Sequence, residues 1–254
     1  MVNGVGRVTG GAELAPEDRG WLPEPDERFQ ESELAEQLKR FASQGITGDS
    51  PADWSVMRDF LHRAIESDQA RGNLSEIMKM APEDVQKQLT YLVAETNPSM
   101  DRGDVERIAG NYFRALESAA FDAFQQRVCD RASQEMHDQA ELMRQVAGDE
   151  GKLAAFKAAF IALHGRDRFE DTFGVDSDNA GAAEFRQAVL RNARQLDEAA
   201  GSLTADHVLG HYDVFKSMPE FTRQFRQKLV PGTFAREVFD SGLAAHTRER
   251  KAYE

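Results

Sequence analysis

The stretch from Asp101 to Ala147 limits how this chain can fold more than any other, because it holds no proline and no cluster of turn residues. In its first half Val105, Ile108, Tyr112, Leu116, Ala120 and Phe124 recur at spacings of three and four, the period of one helical face. Beyond Phe124 the stripe narrows to Val128, Ala132, Met136, Ala140 and Met143, with Gln, Asp, Glu and Arg filling the other positions. That is the pattern of a seam. A helix over the whole stretch would run about 65 to 70 Å at ~1.5 Å per residue, whereas a compact chain of this length is about 45 to 50 Å across. The expectation is therefore a break near residues 130–133 or a helix that projects. A narrow seam satisfies one neighbour, either the helix after Gly151 folded back against it or a second molecule. Two methionines suit an adaptable contact, so Val128, Ala132, Met136, Ala140 and Met143 are expected partner-binding residues.

The remaining segments also read as helices. Ser50-Pro51 with Asp53, and Pro82 with Glu83 and Asp84, are helix starts with an acidic first turn, and Asn97-Pro98 closes the segment before Asp101. Gly148 and Gly151 allow a reversal, and Leu153, Phe156, Phe160 and Leu163 follow on a helix so apolar that it is expected near the centre. Residues 165–179 read as a charged loop carrying Phe169 and Phe173, and helical patterns resume from Gly181 to the C-terminus. No segment alternates with period two between hairpin turns. The predicted fold class is all-α, a bundle of about eight to ten helices organised around the long one. Glycine and proline crowd residues 1–30, which are expected to form a flexible, disordered arm ahead of a helical domain at 31–254, with a possible subdivision near 148. Trp21, Leu22 and Phe29 are the large apolar residues there besides Leu14, placed to pin that arm against the body or to dock into a partner.

Charge narrows the possible partners. With 31 Lys and Arg against 44 Asp and Glu, the formal charge is −13, and such a field repels polyanions. Nucleic acid is not an expected partner. The most apolar window, Leu153 to Leu163, is about half the ~20 residues a spanning helix needs, so no membrane span is expected. Met1 to Gly11 lacks a basic stretch followed by an apolar run, so the expected location is cytoplasmic, or exported without a Sec-type signal peptide. The single cysteine, Cys129, cannot form an intrachain disulfide and sits where a small buried hydrophobe belongs.

Three arrangements bear on chemistry. His207 and His211 stand at i and i+4, the spacing at which two imidazoles share a metal, but the stretch reads HVLGH and lacks the glutamate of a zincin helix. Asp167, Glu170, Asp171, Asp176 and Asp178 crowd one segment; aligned as an EF-hand from Asp176, position twelve is Gln187 where a bidentate glutamate is required. His137-Asp138 has the adjacent pair of a metal-dependent HD phosphohydrolase without its partners at workable helix positions. GVGRVTG at the start has no preceding strand, so it is no dinucleotide fingerprint.

The function expected from these features is a non-enzymatic protein-interaction module, an adaptor, regulator or effector scaffold, with no cofactor and with a protein partner or a second copy as its ligand. An uncharged opening ahead of a helical body is also the layout of helical type III secretion substrates and gatekeepers, so a bacterial export-linked role is the more specific version. The alternative is a helical metal-dependent hydrolase using His207, His211 and the acidic residues at 167–178.

Overall fold

A computed structural model of the chain describes residues 20–66, 76–209 and 218–253. Among them the fold is all-α, with no strand. The helices are α1 (Glu27–Gln30), α2 (Glu33–Ser43), α3 (Pro51–Glu66), α4 (Pro82–Thr96), α5 (Arg102–Ala147), α6 (Glu150–His164), α7 (Arg166–Phe173), α8 (Ala182–Gly201), α9 (Ala205–Leu209), α10 (Met218–Lys228) and α11 (Phe234–Tyr253). The start signals work as their chemistry requires: the Asp53 amide donates to Ser50 Oγ at 3.0 Å, the Asp104 amide donates to Asp101 Oδ1 at 3.0 Å, and proline opens α4. Residues 1–19 of the expected arm lie outside the described residues.

Helix α5 does not break near 130–133; it runs unbroken over 46 residues. The diameter of a single compact body does not limit it, because the contacts form two units, residues Met1–Phe124 with Arg226–Glu254, and residues Gln125–Phe225. The change in stripe width after Phe124 coincides with the change of unit. Gly148, the expected reversal, lies inside the second unit.

In the first unit α2 packs chiefly on α4, and the wide face of α5 is buried through Val105, Ile108, Tyr112, Leu116 and Phe124. The loop between α2 and α3 is fastened to α5 by polar groups. Asn111, 4 % exposed, donates from Nδ2 to the carbonyl of Thr47 and to Asp49 Oδ1, both at 2.8 Å, and the Tyr112 hydroxyl donates to the Ile46 carbonyl at 2.7 Å. Backbone approach is so close here that a Cβ on Gly48, where φ is 76°, would stand 2.9 Å from Asn111 Cβ and 2.7 Å from Met57 Cε. Only glycine fits. Helix α11 closes the unit with Phe234 edge-on to Phe113, centroids 5.4 Å apart, and with Phe239 against Phe121 and Phe124 at 6.5 and 6.2 Å.

In the second unit the seam is filled from within the chain. Val128, Ala132 and Met136 are buried with Ala200 and Val208, flanked by Leu196, Leu203 and Phe225. The neighbour over this part of the seam is therefore α8 with α9, not α6. Ser133 Oγ adds a hydrogen bond to the Ala200 carbonyl at 3.1 Å. Met143 packs on a second cluster built from Ala147, Leu153, Phe169, Phe173 and Phe185.

That second cluster corrects two expectations. The charged loop at 165–179 contains a helix, α7, because Phe169 and Phe173 are one turn apart and both become fully buried, at 0 % and 1 % exposure. Gly174, in the left-handed region at φ 66°, ends it. Phe156 and Phe160 reach into the same knot, where Phe160 meets Phe173 at 5.1 Å and Phe169 meets Phe185 at 5.1 Å. Helix α6 itself is not central, since Leu153 is its only fully buried side chain and Ala154, Ala155, Ala158, Ala159, Ala162 and Leu163 are exposed. Alanine counts as apolar in a sequence pattern, yet a methyl group gains little from burial, and alanine is the best helix former on a surface.

Candidate partner-contact site

The segment before α1 is strapped to α4 through one side chain. Gln88, 6 % exposed, accepts the Asp26 amide at 2.8 Å on Oε1 and donates from Nε2 to the Glu24 carbonyl at 3.0 Å. Gln30 Nε2 donates to Gln88 Oε1 and to its backbone carbonyl, both at 3.1 Å. Asp26 caps α1 by accepting the Phe29 amide, and Phe29 is 2 % exposed. The helical body thus takes in Phe29 and the residues just before it. An amide side chain suits this role, because it answers a backbone donor and a backbone acceptor together without burying charge.

Fastening Glu24 and Asp26 brings Trp21 and Pro23 beside α4 and the start of α5. The Arg102 guanidinium lies over the Trp21 ring, 5.2 Å from its centroid, a cation–π arrangement. Arg102 also donates from Nε to Glu106 at 2.7 Å, so the guanidinium is held between an aromatic face and a carboxylate. Trp21, Pro23, Gln86, Lys87, Thr90 and Arg102, with Glu83 and Glu106, line an open cleft of about 520 Å³. Lys87 is paired with Asp84 at 2.7 Å. Trp21 is half-buried and lines the cleft. A second hollow in this unit, of about 410 Å³, reaches Phe29 and Ile77, which are core residues.

The other expected site residues are placed as follows. Leu22 is half-buried beside Trp21. Val128, Ala132, Met136 and Ala140 are between 0 % and 5 % exposed, and Met143 is half-buried. Val128, Ala132 and Met136 are covered by the chain's own helices, and Met143 packs on the Phe169 cluster.

The metal readings meet different chemistry. His207 Nδ1 accepts the Thr204 amide at 3.3 Å and lies 3.1 Å from Thr204 Oγ1, which uses the ring as a cap for the start of α9. His211 lies outside the described residues. Among the described residues no group of three or more His, Cys, Asp and Glu is arranged to hold a metal ion. In the acidic segment, Asp176 Oδ1 accepts the amides of Asp178 and Asn179 at 2.8 and 2.7 Å, Glu170 accepts the Ser177 amide at 3.0 Å, and Asp178 pairs with Arg166. These backbone amides hold the Asp176 and Glu170 carboxyls below the usual carboxylate range. The acids build a turn. Asp167 and Asp171 are exposed.

His137 does not act with Asp138. Its Nδ1 meets Asp197 on α8 at 2.9 Å, and Arg144 pairs with the same carboxylate, while Asp138 accepts the Gln134 side-chain amide at 2.9 Å. Asp197 thereby clamps α5 to α8, a role that no local spacing could reveal, since the partners are 60 and 53 residues away. Burial pushes the Cys129 thiol up to about 11.

No helix among the described residues is long and apolar enough to cross a membrane. Compared with protein-family models, with curated proteins and with solved structures, the chain matches none.

Proposed function

We propose that this chain acts through protein contacts, as an adaptor or regulator, and that the cleft beside Trp21 receives a segment of its partner. The observation that carries this reading is the half-buried Trp21 ring, stacked under Arg102 at the wall of an open cleft. Tryptophan and arginine are the side chains on which binding energy concentrates at protein interfaces. Because Arg102 and the strapped backbone already hold the ring, little freedom remains to be lost on binding. Pockets for small apolar molecules are enclosed and mostly apolar. This one is open, with cations and acids on its rim, which suits an extended segment of another chain. The rim charges favour one orientation of that segment more than they add affinity.

A displayed peptide library selected on the purified full chain tests the reading. Selected peptides should lose at least about tenfold in affinity, or 1.4 kcal/mol, on Trp21→Ala. Arg102→Ala should weaken them less, and the melting transition should stay in place for both variants. Selected peptides that bind both variants as well as the parent would place recognition elsewhere.

A further inference from the structure

We draw no further inference here: the strongest candidate, the outward alanine face of helix α6 ending on Leu163, which is 78 % exposed, is a stripe of small residues, and nothing in the structure shows what covers it.

Discussion

Gly242 on α11 lies so close to Phe121 on α5 that a Cβ built on it would stand 2.3 Å from Phe121 Cδ2 and 2.5 Å from Cγ. An exposed helical glycine is ordinarily improved by alanine, by about 0.8 to 1 kcal/mol. Here the sign reverses. The ring cannot step aside by moving its far end alone, since Cγ is among the clashing atoms, and it packs near Phe239 at 6.5 Å. Gly242→Ala should therefore destabilise the chain by about 1 to 3 kcal/mol, as overpacking does. Urea unfolding checks this, and Phe121→Ala in the same chain should recover part of the loss. A gain in stability for Gly242→Ala alone would mean that α11 does not approach α5 this closely.

The helical run of α5 and the narrowing of its apolar stripe after Phe124 are legible in the sequence because both follow from spacing along one helix, whereas its continuity through 130–133 is not. What covers each face is not legible either, because that depends on partners far along the chain, such as Ala200 and Val208 against Val128 and Met136. The charge of residues 165–179 points to a loop. Two phenylalanines one turn apart outweighed that charge, because Phe169 and Phe173 reach full burial among other rings. At α6 the apolar pattern points to the centre, yet its alanines and Leu163 are exposed, because a methyl group gains little from burial. At the cleft, Trp21 stood out as a large apolar residue in a polar segment. Arg102 and Gln88, which hold that segment, carry no signal of their own in the sequence.

Burial of the seam predicts how it answers to charge. Met136 is 5 % exposed among Val128, Ala132, Ala200 and Val208, so Met136→Glu places an unpaired carboxylate in a closed apolar contact. The expected cost is at least about 3 kcal/mol, in the range reserved for buried unpaired charge. Met143→Glu, at a half-buried position, should cost less. Circular dichroism with urea titration measures both, and a Met136→Glu chain that unfolds at the parent midpoint would show that the seam is open in solution.

The loop fastened by Asn111 should make part of the stability acid-sensitive. Hydrogen bonds from Arg107 above all, and then from Thr47, lower the Asp49 carboxyl from 3.8 to about 2. A carboxyl depressed in the folded state stabilises it above the unfolded value, and that contribution disappears as pH falls through the folded value. The stability difference between the parent and Asp49→Asn should thus be full above about pH 4, shrink as pH falls, and vanish below about pH 2. Both partners are substantially exposed, so added salt should narrow the difference as well. A difference that stays constant across this pH range would mean that the carboxylate form of Asp49 contributes nothing.

Docking of a protein segment in the Trp21 cleft can be trapped by a photo-cross-linking residue placed at Gln86, an exposed position on its wall. The purified full chain carrying it would be irradiated in an extract of the source cells. The expected result is a discrete protein adduct that Trp21→Ala removes while the melting transition is retained. An adduct that persists undiminished in Trp21→Ala, or no adduct at all when the label reacts normally with added peptide, would contradict it.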